Sequence, residues 1–231
     1  NEVDVFIYGY VRGFGGIRMN LSNGAVIKKI FSWGDVPLES LSYLLFNNTN
    51  VDELPDDIPS TITDISSMFM RSSFNGEEIN QWDVSEILNF YCAFYSSSYS
   101  QSLSNWKLES ATNVKRMFSR ASSPPSLGTW TLPKITSAFK YGFFLDKCGM
   151  SVLNYDDTIN GWQQNLTKFP SNFNVQADGL TSSENSKTAK NNLIESGWEF
   201  EGNGCSDCLD FNIEGDVSAD LIGRDFTKSN G

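Results

Sequence analysis

The residues of this chain best suited to chemistry include the adjacent carboxylates Asp56-Asp57, Glu77-Glu78 and Asp156-Asp157. Hydrolysis of a glycosidic bond needs two Asp or Glu side chains that face each other across a cleft. Neighbouring residues of a strand or a turn point in different directions, so such pairs do not suit that reaction. The chain also lacks histidine, the commonest general base. We therefore predict that the chain is not an enzyme and needs no cofactor.

The four cysteines do not have the spacing of a metal site. Cys205 and Cys208 form a single CxxC, whereas Cys92 and Cys148 stand alone. A structural zinc site needs four Cys or His ligands, and neither a second CxxC nor a histidine is present. No metal is expected, and Cys205 and Cys208 form either a local disulfide or two free thiols.

Charge and hydropathy exclude two classes of partner. The chain of 231 residues has a formal net charge of −11, and binding to nucleic acid needs clustered Lys and Arg. No apolar run approaches the length of a membrane span, so no membrane insertion is expected in this segment.

The elements that position these residues come in repeats. Trp82, Trp106 and Trp130 stand at equal intervals along the chain, and each opens the pattern WxΦ, where Φ is an aliphatic residue. A fixed period of this length is typical of a solenoid, in which each unit buries its apolar side against its neighbours. Solenoids mostly bind other molecules, so the period bears on function as well as fold.

Other apolar columns extend the array to five units between about Ile30 and Leu145. One column recurs at Leu54, Ile79, Leu103 and Leu127. A second series starts five residues after each Trp, including Trp33 in the first unit; the second unit has Asp57 at the Trp position and lacks the Trp. The series has offsets of 0, 3, 6 and 7, which place four side chains on one helical stripe. Its members are Leu38, Leu41, Leu44 and Leu45; Ile62, Ile65, Met68 and Phe69; Ile87, Phe90, Ala93 and Phe94; Ala111, Val114, Met117 and Phe118; and Ile135 with Ala138. In the fifth unit Gly142 replaces the final Phe, and Phe143 comes one position late.

Each unit is predicted to be a short strand followed by a short helix. Side chains alternate along a strand, so the Trp and the aliphatic residue point inward together. The tryptophans are therefore predicted to be stacked in the core and not to form a platform for sugar stacking. The outward residues are the candidate ligand-binding set, named here the polar patch: Gln81, Asp83, Asn105, Lys107, Thr129 and Thr131. Stacked strands would place them in a flat surface at about 4.8 Å per strand. A merely solvated surface is the alternative.

The ends of the array are predicted to be caps, because an open stack exposes apolar surface. Residues 1–29 are expected to form a β-rich N-terminal cap with a hairpin, residues 30–150 the repeats, and residues 151–202 a C-terminal cap. That cap contains helices at 151–165 and 183–196 and a strand from Trp198. Residues 203–231 read as a tail or the start of another module, and the chain as a segment of a longer modular protein.

Several motifs resemble the repeat of BspA-like leucine-rich-repeat surface proteins, which also occurs in mycoplasma surface lipoproteins. The unit "MF…FN…I…WDVS" appears here as Met68-Phe69, Phe74-Asn75, Ile79 and Trp82-Asp83-Val84-Ser85. Later units keep Met117-Phe118 and the tryptophans but not the FN and DVS elements. The segments 153–162 and 189–198 resemble the "NYD..L.GW … A...LI..GW" region that closes such arrays.

The resemblance implies a non-catalytic adhesion module on a cell surface or virion surface. Its expected partner is a host or cell-surface protein or glycan, bound through the repeats. The alternative is a structural spacer or assembly domain of a larger surface protein or of a phage tail or virion fibre.

Overall fold

A computed structural model describes residues 27–35, 37–135, 142 and 144–201. Most of the expected N-terminal cap, Ala138 and Phe143 of the fifth unit, the segment 203–231 and the Cys205–Cys208 pair lie outside the described residues. The regular elements that follow the repeats are α1 (Val152–Gln164), β1 (Asn174–Gln176), α2 (Lys187–Glu195) and β2 (Glu199–Glu201). Short 3-10 helices cover Glu78–Gln81, Leu166–Lys168 and Glu184–Ser186.

Neighbouring repeat units are joined by parallel backbone hydrogen bonds. Isolated parallel bridges link Ser40 with Asp64, Asp64 with Asn89, and Asn89 with Asn113, which are equivalent positions of successive units. We call the hydrogen-bonded segments the ladder: 41–47, 65–71, 90–96, 116–120 and 145–147. Within it every second N–H donates to the next unit, as from Ile65, Ser67, Phe69 and Arg71.

The ladder coincides with the segments predicted to be helices, and the assignment to helices is wrong for the described residues of the units. Between the ladder bonds, N–H groups donate three residues back, as from Met68 to the carbonyl of Ile65 at 3.1 Å. The backbone thus forms consecutive turns, with positive φ at paired positions such as Ser67 and Arg71. Consecutive turns of this kind bury the apolar side chains at offsets 0, 3, 6 and 7, much as a helix would. The spacing of these residues therefore indicated a helix.

Polar side chains at the start of each ladder segment favour turns over a helix. The side chains of Ser40, Asp64, Asn89 and Asn113 each accept a hydrogen bond from the N–H two residues later. Such local bonds satisfy the backbone outside helical geometry and therefore compete with it. The amide of Asn113 also donates to the side-chain oxygen of Asn89 at 3.1 Å, so the column links units as well.

The core is one continuous cluster that runs from the first unit into the C-terminal cap. Its centre is a column of parallel rings, in which Phe94 lies 5.0 Å from Phe69 and 5.1 Å from Phe118. In the fifth unit the N–H of Phe118 donates to the carbonyl of Phe144, as that of Phe94 donates to the carbonyl of Met117, so Leu145 takes the place of Phe118. The ring of Phe144 packs edge to face with Phe118 at 6.0 Å. The alignment that places Gly142 in this column is therefore wrong by three positions.

The C-terminal cap extends the ladder. The N–H of Leu145 donates to Gln176, and β1 pairs in parallel with β2. α1 and α2 lie within the ranges that the sequence predicts, and Ser151 caps α1 by accepting from the N–H of Asn154. Gly197 follows α2 with a φ of 92°, a conformation that glycine adopts without strain.

Candidate binding surface

The tryptophans of the WxΦ pattern are buried, with exposed fractions of 2% for Trp82, 0% for Trp106 and 1% for Trp130. Their rings pack against the phenylalanine column and against each other, as Trp106 does with Trp130 at 6.1 Å and an interplanar angle of 7°. No face of these rings is available to stack on a sugar.

Each indole N–H reaches back to the preceding unit. Trp106 donates to the carbonyl oxygen of Ile79 at 2.6 Å, and Trp130 donates to that of Leu103 at 2.9 Å. The same carbonyls accept the backbone N–H of the Trp in their own unit, which uses both lone pairs. In the cap, Trp162 repeats the contact with Leu127 at 3.0 Å. Three members of the Leu54 column, Ile79, Leu103 and Leu127, therefore supply acceptors as well as apolar side chains, whereas Trp82 donates to the carbonyl of Pro55.

Trp33 fills the place of the Trp that the second unit lacks. Its indole N–H donates forward to the carbonyl of Asp57, the residue at that missing position, at 2.8 Å. Its ring contacts Trp82 edge to face at 6.1 Å. The tryptophan rings of the first and third units are therefore in contact although the second unit has no Trp.

The polar patch faces solvent: Gln81, Asp83, Asn105, Lys107 and Thr129 are exposed, and Thr131 is half-buried. It lies beside the buried tryptophans, as the alternation predicts. The structure differs from the prediction in what supports the patch, because the WxΦ segments are not strands and, among the described residues, no backbone hydrogen bond joins them across units. The ladder satisfies the inter-unit backbone bonds on another side of each unit.

Side chains replace those missing backbone bonds. The N–H of Asn105 donates to the side-chain oxygen of Asn80 at 3.1 Å, and the hydroxyl of Thr129 donates to the carbonyl of Ser104 at 3.1 Å. Single side-chain hydrogen bonds therefore fix how neighbouring units align at the patch. The spacing of residues in the sequence does not reveal these bonds.

The patch carries both charges. Asp83 lies one unit before Lys107 in the same column of the repeat. Hydrogen bonds from the side chain and the backbone N–H of Ser85 lower the pKa of Asp83 below its ordinary value. At neutral pH the patch thus presents a carboxylate, an ammonium group, two amides and two hydroxyls, which suit hydrogen bonding to a polar partner.

The carboxylate pairs lie elsewhere and are used in different ways. Asp56 and Asp57 are exposed, whereas Glu78 accepts a hydrogen bond from the N–H of Leu54 at 3.0 Å. Asp156 is buried and accepts bonds from the N–H of Ser183 and from the hydroxyls of Ser183 and Ser186. Glu78 thus stabilises the backbone at Leu54, and Asp156 stabilises the segment that precedes α2 in the C-terminal cap.

Within the described ranges, no group of three or more Cys, Asp or Glu residues could hold a metal ion. None of the helices in the described part of the chain is long and apolar enough to span a membrane.

The chain is similar over residues 39–145 to a family whose model is described as "Mycoplasma protein of unknown function, DUF285". The match begins just before the first ladder segment and ends at Leu145, so it coincides with the repeats and leaves out the C-terminal cap. No match was found to a curated protein or to a solved structure.

Proposed function

We propose that the chain is a non-catalytic binding module of a cell or virion surface, built as a leucine-rich-repeat-like solenoid, and that the polar patch is its ligand-binding face. The solenoid is supported by the parallel bridges between equivalent positions of successive units and by the unbroken aromatic column. Each unit contacts its neighbours, as in a one-dimensional stack.

The observation that carries the binding role is the position of the patch on a fully packed support. Exposed polar residues from three units lie directly beside tryptophans that are at most 2% exposed and that are tied to the preceding unit by indole hydrogen bonds. A rigid support lowers the entropy lost when surface side chains are ordered by a partner. The partner we propose is a host or cell-surface protein or glycan.

The setting rests on resemblance. The WDVS-type repeat is similar to that of BspA-like surface proteins, and the matching family is described as a Mycoplasma protein. The resemblance to BspA-like proteins favours an extracellular position, on a cell surface or as part of a longer surface chain. The absence of histidine from the sequence favours a non-catalytic role.

A structural spacer or assembly domain is the second candidate. Two patch residues, Asn105 and Thr129, take part in hydrogen bonds between units, which favours a role in holding the stack together.

The two functions are separated by a triple variant, Gln81→Ala, Asn105→Ala and Lys107→Ala. Thr129 is left unchanged because its hydroxyl links two units. We expect the binding of fluorescently labelled chain to cultured animal epithelial cells to fall at least about tenfold, since a loss of about 1.4 kcal/mol is sufficient. The unfolding temperature should stay the same.

The matched control changes three exposed serines of the repeat array, Ser73→Ala, Ser98→Ala and Ser123→Ala. It should bind like the unchanged chain. If both variants bind equally well, the patch is not the site. If the unchanged chain does not bind cells at all, the spacer function is favoured.

A further inference from the structure

The last position of each ladder segment forms a straight column with one residue from each unit, and we call it the cationic column: Asn47, Arg71, Ser96, Arg120 and Lys147. The backbone N–H of each member donates to a carbonyl of the next unit, or of the cap in the case of Lys147, at 2.8–3.0 Å. Each member also has a positive φ, between 51° and 59°. Because their backbone bonding and conformation are the same, the five side chains leave the ladder in the same direction.

The spacing of the cationic column is that of hydrogen-bonded strands, about 4.8 Å from one unit to the next. The backbones of Arg71 and Arg120 are therefore about 10 Å apart, and Lys147 follows one step later. All three basic side chains are exposed. Asn47 and Ser96 place an amide and a hydroxyl in the same line. The column thus presents positive groups and neutral hydrogen-bonding groups along a straight edge.

The charge of the ladder is opposite to that of the whole chain. The ladder segments contain four basic residues, Arg71, Arg116, Arg120 and Lys147, and one acidic residue, Asp146, which is only 6% exposed. The chain as a whole has a formal net charge of −11. Basic side chains gathered on one face of an acidic chain produce a local positive potential, which attracts an anionic partner.

The backbone conformation of the column does not favour long side chains. Gly179 holds the same position in the cap, directly after the Asp178 carbonyl that accepts from Lys147, and its φ is 83°. A residue with a Cβ costs about 1–2 kcal/mol in this region. Strained positions are commonly found where a side chain contacts a ligand. The presence of Arg71 and Arg120 at such positions therefore indicates a role for their charged side chains.

Aromatic side chains lie beside the column in the early units. Phe46 and Tyr91 are half-buried and pack against the buried side chains of Met70, Cys92 and Tyr95. Phe46, Met70 and Tyr95 each directly precede a member of the column in the chain. The ladder face thus combines positive charge with aromatic surface on which the apolar side of a sugar ring can pack.

We propose that the cationic column is a second binding surface and that its ligand is a linear acidic polysaccharide, with its carboxylate or sulfate groups along the column. The planar guanidinium groups of Arg71 and Arg120 can donate two parallel hydrogen bonds to such groups. Sugar hydroxyls match the amide of Asn47 and the hydroxyl of Ser96. A nucleic acid carries a much denser charge, which the net charge of −11 repels.

This proposal does not rest on the function proposed for the polar patch. The ladder and the tryptophan segments are on different sides of each unit, so the cationic column and the patch share no residue. Either surface could bind its ligand without the other. A variant of each surface therefore tests one proposal and serves as a control for the other.

The test removes the charges and keeps the backbone conformation. Arg71→Asn, Arg120→Asn and Lys147→Asn together give these positions the residue that Asn47 already provides in the first unit, and asparagine tolerates positive φ. The probe is a heparin oligosaccharide, which is linear and carries both sulfates and carboxylates. Isothermal titration calorimetry with the full chain at about 0.15 M salt should show that Kd rises about tenfold or more in the variant. The unfolding temperature should not fall.

The matched control removes the same number of charges away from the ladder, with Lys134→Asn, Lys168→Asn and Lys187→Asn at exposed positions. It should bind heparin like the unchanged chain, and so should the triple variant of the polar patch. An equal loss of affinity in the control would mean that heparin responds only to overall charge and would overturn the proposal.

Other probes distinguish the classes of ligand. Uncharged dextran should not bind, and vesicles of phosphatidylserine and a DNA duplex should bind more weakly than heparin under the same conditions. Failure of the unchanged chain to bind heparin, or tighter binding of the vesicles or the duplex, would contradict an acidic polysaccharide as the ligand. Loss of heparin binding in the patch variant alone would assign the polysaccharide to the polar patch and not to the cationic column.

Discussion

The indole N–H of Trp106 donates to the carbonyl oxygen of Ile79, in the preceding unit, at a distance of 2.6 Å. The carbonyl of Ile79 also accepts the backbone N–H of Trp82 at 3.2 Å. One buried oxygen thus joins two units and fixes their register on the side where backbone bonds between units are absent from the described structure. The regularly spaced tryptophans therefore supply hydrogen bonds between units as well as apolar packing.

The contribution of this hydrogen bond can be separated from that of the ring. Trp106→Phe removes a donor that is bonded, whereas Trp198→Phe removes an indole N–H that is buried without a partner. Both lose similar volume, so we expect Trp106→Phe to cost about 1–2 kcal/mol more free energy of unfolding than Trp198→Phe. Denaturant unfolding of both variants measures this difference. Equal losses would mean that the indole hydrogen bonds do not hold the units in register.

Gly161 is expected to reverse the usual effect of glycine in a helix. Alanine in place of glycine stabilises an exposed helix by about 1 kcal/mol. A Cβ at Gly161, however, would overlap the carbonyl oxygen of Gly128, a backbone atom that cannot move aside alone. We expect Gly161→Ala to lower the free energy of unfolding by about 1–3 kcal/mol, as overpacking does.

The control for Gly161 is Gln164→Ala, an exposed position of the same helix. It should change thermal stability little. A more stable Gly161→Ala variant would show that α1 does not approach the last repeat as closely as the structure places it.

The stability of the C-terminal cap should depend on pH through Asp156. Burial opposes ionisation of this carboxyl, but hydrogen bonds from Ser183 and Ser186 outweigh it, and the pKa of Asp156 is lowered from its ordinary value. Because the folded pKa is below the unfolded one, the stabilisation is present above about pH 4 and is lost as the pH falls through the folded pKa.

Asp156→Asn should therefore be less stable than the unchanged chain by about 2–3 kcal/mol at pH 7, since hydrogen bonds to a charged acceptor are lost. The difference should shrink as the pH is lowered below about 4. Asp157→Asn, at an exposed neighbour, is the control and should show neither effect. A stability difference that is independent of pH would exclude ionised Asp156 as the acceptor. Thermal unfolding at several pH values gives the answer.

Arg71 tests the left-handed positions of the ladder. Its φ is 56° and its N–H donates to the carbonyl of Tyr95, so the conformation is held by the neighbouring unit. A non-glycine residue costs about 1–2 kcal/mol in this region. We expect Arg71→Gly to match or exceed the unchanged chain in stability by up to about 1 kcal/mol.

The exposed Ser98 has no positive φ, so Ser98→Gly should instead cost about 0.5–1 kcal/mol. Opposite signs in the free energies of unfolding of these two variants are the expected result. A loss of equal size in both would indicate that residue 71 is not left-handed in solution.

The spacing of the apolar residues determines which side chains are buried. Trp82, Trp106, Trp130 and the columns of Leu103 and Phe94 are all core, because the interior of a repeat stack excludes water at the same position of every unit. The exposure of the polar patch follows from the same alternation. The helices of the C-terminal cap could be placed because their ends carry local signals, such as Ser151 and Gly197.

What the tertiary structure alone decided is how the backbone between those side chains is bonded. Offsets of 0, 3, 6 and 7 fit a helix and a chain of turns equally well, and the choice depends on whether the N–H of Ile65 donates within its unit or to Asn89 in the next. That acceptor lies a full repeat further along the chain, so the local sequence does not indicate that the hydrogen bond forms. The same long-range contact moves the inter-unit bonds from the tryptophan segments to the ladder. It also leaves a second apolar cluster, of Met70, Cys92 and Tyr95, on a face that the sequence pattern did not identify.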